Sequence, residues 1–124
     1  TVASLYKSIE IYPLHTEEYA QLKAAGVDGM TVFQETYDPA VYKSVHLGGK
    51  KRDFAWRLDA PARAAEAGLR TVNIGPLLGL AEPRREMFFT GLHARFLETN
   101  FLQTEVAVSL PRINEAEGGF SATQ

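Results

Sequence analysis

Four short clusters of polar or backbone-permissive residues in this 124-residue chain could do chemistry, and each follows an apolar stretch. His15 follows I-E-I-Y-P-L, and Gln34-Glu35-Thr36-Tyr37 follows V-F. Gly75 to Glu82 (G-P-L-L-G-L-A-E) follows T-V-N-I, and Ser109 to Arg112 (S-L-P-R) follows V-A-V. Gln34, Glu35 and Thr36 can hydrogen-bond the hydroxyls of a ribose, since an amide or carboxylate accepts from a diol. The plainer reading of Glu35 is a cap or a lysine partner. Gly75 and Gly79 carry no side chain to hold off a flat ligand, although the same spacing also suits a simple strand-to-helix turn. Arg112 can grip a carboxylate in a two-pronged way or stand as a surface arginine. Arg57, beside Trp56, reads as part of a solvated helix face. Lys50, Lys51 and Arg52 read as a wet loop. His15, His46 and His93 stand far apart without metal-ligand spacing, so neither a metal site nor a catalytic side chain is nominated.

These clusters need a scaffold that gathers them. Ser8 to Leu14 alternates with period two, and Val27 to Phe33, Leu69 to Leu80 and Glu105 to Pro111 read as further strands. Thr16 can cap a helix that ends at Gly26, and Asp38-Pro39 opens a short helix to Val45. Asp53 can cap a helix over 54–67 that Pro61 kinks or restarts. Pro83 to Asn100 is the longest helix, with Met87, Phe88, Leu92 and Phe96 near helical spacing. His46 to Lys51 is a loop, and 114–124 is a polar, loose tail after a domain over 1–113. The order β-α-β-(α)-α-β-α-β predicts an α/β fold with a parallel sheet and helical crossovers. Four strands make either a small open sheet or half of a (β/α) barrel. In both, the four clusters meet at the carboxyl ends of the strands.

Composition narrows the function classes. Hydrophobic residues are 45% and charged residues 23% of the chain, the profile of a globular domain. The formal charge of −2 supplies no attraction to nucleic acid or to an anionic membrane. No run is long enough to span a bilayer, and no signal peptide opens the chain. Without cysteine, disulfides and thiolate metal sites are excluded within these residues. Thr1 is not a natural start, so the expectation is a chain cut from something longer.

Several segments together resemble the radical S-adenosylmethionine (SAM) enzymes, and among them the tyrosine lyases of thiazole biosynthesis in the thiamine pathway. The segments are I-E-I-Y-P-L-H-T-E-E-Y, V-F-Q-E-T-Y, G-G-K-K-R-D-F-A-W-R-L, N-I-G-P-L-L-G-L and V-S-L-P-R-I. The pair Q-E-T-Y and K-K-x-D-F-x-W-R-L is the specific part. Tyrosine lyases of hydrogenase cofactor assembly share Q-E-T-Y and a W-R and are the nearest rival. The resemblance implies the carboxyl-side half of a TIM-type radical SAM barrel, the region shared by biotin and thiamine synthesis enzymes. It implies SAM contacts at Gln34, Glu35, Thr36, Arg57, Gly75, Leu77 and Gly79, with Leu77 against the adenine. Ser109 and Arg112 are implied to hold the carboxylate of a tyrosine substrate. The family's 4Fe–4S cluster sits on a Cys-x-x-x-Cys-x-x-Cys loop that this chain lacks, so the resemblance implies a fragment that is inactive alone. It also implies a cytoplasmic parent enzyme that works with thiazole synthase. The reading from another class is a non-catalytic module that self-associates through the uncovered edges of a half barrel.

Overall fold

The structure is a computed structural model and describes residues 6–45 and 53–113. The expected loop at His46 to Lys51 and the expected tail at 114–124 lie outside the described residues. Among the described residues nine elements follow in the expected alternation: β1 (Ser8–Glu10), α1 (Thr16–Ala24), β2 (Gly29–Thr31), α2 (Pro39–Val45), α3 (Phe54–Leu58), α4 (Ala60–Glu66), β3 (Thr71–Ile74), α5 (Pro83–Asn100) and β4 (Glu105–Val108). All pairings are parallel, and the strands lie side by side in chain order β1-β2-β3-β4. An order without reversal means that every crossover steps one strand in the same direction. With right-handed crossovers the helices then share one face, which is the arc of a barrel and not a doubly wound sheet.

The register shows how the two faces are used. Ile9, Met30, Val72 and Val106 align across the four strands. This row packs with Tyr19, Ala60, Ala64 and Leu97 from the helices. Fully burying a side chain such as Leu69 or Leu97 contributes about 1.5–3 kcal/mol, so this layer carries much of the stability. The next row, Glu10, Thr31, Asn73 and Ala107, points to the opposite, concave face and is polar or small.

Local signals set most element ends. Asp53 caps α3 by accepting from Trp56 N–H at 2.9 Å, and Glu82 caps α5 by accepting from Arg85 N–H at 2.9 Å, with Pro83 in the first turn. The helix expected over 54–67 breaks at Asp59, as Pro61 requires. The cap of α1 is His15 and not Thr16. The His15 carbonyl accepts from Glu18 and Tyr19, and the Glu18 carboxylate accepts from His15 N–H at 2.9 Å. The strands are shorter than their apolar runs, and past β2, β3 and β4 the chain continues as the single bridges Glu35–Pro76 and Leu78–Arg112. On α5 the apolar spacing misleads: Phe88 and Phe96 are 62% and 52% exposed, whereas Glu86, Thr90 and Leu97 face inward.

Two glycines separate steric need from helix propensity. A Cβ at Gly75 would overlap the Ser109 carbonyl oxygen, whereas one at Gly91 on α5 would meet nothing within 4 Å. Gly75→Ala should therefore lose about 2 kcal/mol or more in urea unfolding. Gly91→Ala should gain about 0.5–1 kcal/mol in the same measurement.

Candidate functional site at the strand ends

Hydrogen bonding continues past the strands and draws three of the four clusters together. Gln34 N–H donates to Gly75 O at 2.9 Å, Glu35 bridges Pro76, and Leu77 N–H returns to Glu35 O at 2.6 Å. On the other side Leu78 N–H donates to Pro111 O and Ile113 N–H to Leu78 O, both at 2.8 Å. The Gly75–Leu78 segment thus stands between Q-E-T and S-L-P-R as the middle of three adjacent strands, each about 4.8 Å from the next. Gly75 is the point of closest approach. Gly79, at φ 113°, turns the chain toward α5 in a conformation that favours glycine.

Glu35 holds φ 74°, the one left-handed non-glycine residue among those described. Such a conformation costs about 1–3 kcal/mol and recurs at ligand sites. Its neighbour Gln34 is 2% exposed, and neither its Nε2 nor its Oε1 finds a protein partner. Thr36 is fully buried, its Oγ1 accepting from Asp38 N–H at 3.1 Å. Arg57, expected on a solvated face, is instead 9% exposed. Its Nε donates to Phe33 O at 2.7 Å, while its Nη1 is buried and unpartnered. Burial raises the pKa of the Tyr42 phenol, and the nearby Arg57 guanidinium opposes that rise. Unpaired buried amide and guanidinium atoms are rare in folded proteins and call for water or a ligand.

The other expected residues divide. Leu77 is half-buried, an apolar surface beside Glu35. The Ser109 hydroxyl donates to the Asn73 amide oxygen at 3.1 Å on the concave face. Arg112 is exposed, and its main chain bridges Leu78, but no side-chain bond joins it to Ser109 among the described residues. His15 lies away from this centre, its ring edge-on to Trp56, with Arg63 stacked 3.5 Å over the same indole. No group of three His, Asp or Glu side chains among the described residues could hold a metal ion. Nor is any helix among them long and apolar enough to cross a membrane.

No protein-family model matches the chain. It is 40% identical over 112 residues to 2-iminoacetate synthase of Salmonella typhimurium and 41% identical over the same length to that of Escherichia coli K12. Each alignment covers 90% of this chain and 30% of the relative. The chain is similar to the 2-iminoacetate synthases. It spans about a third of their length. Two solved structures share its fold: the FeFe-hydrogenase maturase HydG from Carboxydothermus hydrogenoformans, with TM-score 0.83 and 39% identity, and a second HydG structure, with TM-score 0.84 and 34% identity. Both cover 88% of this chain and about a quarter of HydG. The partial barrel is therefore shared with enzymes of this kind.

Beside this relative-like rim, α5 contributes side chains that no motif marked. Glu86 is buried, and its Oε1 accepts from Tyr37 N–H at 2.7 Å. Burial raises its pKa, opposed by the Tyr37 N–H and the Thr36 hydroxyl. His93 Nδ1 lies 2.7 Å from the Tyr37 hydroxyl. Burial lowers the imidazole pKa, against Asp59 and the Leu58 carbonyl, and raises that of the Tyr37 phenol. The Tyr37 hydroxyl and His93 Nδ1 share one hydrogen bond, whose direction follows the imidazole tautomer. Cavities of about 340 Å³ and 500 Å³ adjoin Tyr37, the first lined by Leu58, His93 and Phe96, the second by Asp38, Glu82 and Arg85, with Phe89 lining both.

The two shifts act on stability with opposite signs. The native imidazole is more acidic than the unfolded value of 6.5, so the unfolded chain binds more protons. The His93 contribution is complete above that pH and is lost as pH falls through the native value. Glu86, raised above 4.5, contributes most below that pH and loses its contribution as pH rises through its native value. Urea unfolding should show stability falling below pH 6.5 in the wild type, and His93→Gln should flatten that slope.

Proposed function

We propose that this chain is the carboxyl-side part of a radical SAM tyrosine lyase, whose whole breaks the Cα–Cβ bond of tyrosine to give 2-iminoacetate and p-cresol. The observation that carries the reading is the set of unpartnered buried atoms on Gln34, which bonds Gly75, and on Arg57, which bonds the neighbouring Phe33 carbonyl. They are donors and acceptors already desolvated, as a site for a polar cofactor requires. Gln34, Glu35 and Thr36 would bind the SAM ribose, and Leu77 would pack on its adenine between Gly75 and Gly79. Arg57 Nη1, buried and without a protein partner while Nε holds the Phe33 carbonyl, would orient the methionyl carboxylate. When bound and reduced, SAM supplies a carbon radical able to abstract hydrogen from the substrate. Ser109 and Arg112 would hold the tyrosine carboxylate, with Asn73 fixing the direction of the Ser109 hydroxyl. The 4Fe–4S cluster does not fit this chain, which has no cysteine to hold iron, so the cluster belongs to the rest of the parent. The parent is read as a cytoplasmic partner of thiazole synthase.

Calorimetric titration should detect SAM binding, and Arg57→Met should weaken it at least about tenfold, the scale of a lost charge-assisted contact. No binding by the wild type, alone or within the full-length parent, would overturn the cofactor half-site. In the full-length parent Arg112→Ala should abolish tyrosine cleavage, and near-normal turnover would refute its role.

The 39% identity to HydG favours a second assignment of the same chemistry, tyrosine cleavage for hydrogenase cofactor assembly. A reading from a different class rests on the exposure of Ala107 and Val108 on β4 at the sheet's edge, which suits pairing with a second copy. Light scattering decides it: a dimer supports that reading, and a stable monomer counts against it.

A further inference from the structure

Beyond Glu35 the Q-E-T-Y segment leaves the sheet, and its last residue is held from outside the sheet. Two side chains of α5 reach it. Glu86 Oε1 accepts from the Tyr37 main-chain N–H, and His93 Nδ1 hydrogen-bonds the Tyr37 hydroxyl, each at 2.7 Å. They stand seven residues apart, two helical turns, and so lie on one face. That face is costly to build this way. A carboxyl group is nearly removed from water at Glu86, and Thr90 between them turns its hydroxyl onto Glu86 O at 2.7 Å. Meanwhile the apolar Phe88, Leu92 and Phe96 are left about half exposed. A helix selected only for packing would place these residue types the other way round.

We infer that Glu86 and His93 are positioning residues, clamping Tyr37 at its main chain and its hydroxyl so that α5 holds the Gln34–Thr36 segment in its ligand-ready conformation. Glu35 is kept in its left-handed state from both sides. Tyr37 is anchored two residues later, and the Leu77 N–H bonds the Glu35 carbonyl. Because α5 follows directly on the Gly75–Gly79 loop, one helix sets both edges of the same site. The inference deepens the SAM reading, and it rests on that reading only for its effect on affinity.

Amide hydrogen exchange and SAM titration on the same variants test it. Glu86→Gln keeps an acceptor and the volume, and should preserve both Tyr37 amide protection and SAM affinity. Glu86→Met keeps the volume without the acceptor. It should lower protection at the Tyr37 and Leu77 amides by about tenfold or more, leave Val72 in β3 unchanged, and weaken SAM by a similar factor. Equal protection in the two variants would overturn the clamp. If Glu86→Met does not fold, Tyr37→Phe removes only the hydroxyl contact and should still speed exchange at Leu77; an unchanged Leu77 amide would overturn the inference. Should the wild type fail to bind SAM, the cofactor reading falls, while the exchange data still decide the clamp.

Discussion

The main-chain contact between Gly75 and its two neighbours is the constraint on which the rim depends. Gln34 N–H bonds the Gly75 carbonyl from one side, and the Ser109 carbonyl lies where a Gly75 side chain would be on the other. Only a residue without a Cβ lets three chains close at that point. Their closure brings an amide, a carboxylate, an apolar side chain and a hydroxyl within two strand spacings of each other. The site is thus built by backbone first, and its side chains inherit their places.

A second layer of polar contacts supports this backbone. Arg57 spends its Nε on the Phe33 carbonyl, and Arg63 bonds the carbonyls of Leu14 and Trp56, at 2.7 and 2.8 Å, while stacking on the Trp56 indole. These bonds tie the short helices α3 and α4 to the ends of β1 and β2. Charged groups enclosed in this way contribute little net stability, since their desolvation offsets the attraction. Their effect is on geometry: each long side chain is held in one orientation, and Arg57 is left with one nitrogen to offer.

The sheet itself is asymmetric in a way that matches half of a barrel. Its convex face packs on helices, whereas its concave face carries Glu10, Thr31, Asn73 and Ser109. A polar concave face is poor as a folding core and suitable as the lining of an enclosed site. The HydG structures, of which this chain covers about a quarter, share that arc.

Much of this was written in the sequence alone. Periodicity and caps such as Asp53 and Glu82-Pro83 fixed the kind and order of every element, because these signals act within a few residues. The motifs Q-E-T-Y and N-I-G-P-L-L-G-L marked the rim, since each follows an apolar run and so falls at the carboxyl end of a strand. Tertiary structure alone decided which face of α5 is buried, because Phe88 and Phe96 have the spacing of a core stripe and only the position of β4 and the Tyr37 segment turns Glu86 inward. It also decided that Arg57 is enclosed, that Asn73 meets Ser109 and that Tyr37 meets His93. Those pairs are 24 to 56 residues apart along the chain, and no local pattern encodes a contact that the sheet's register creates.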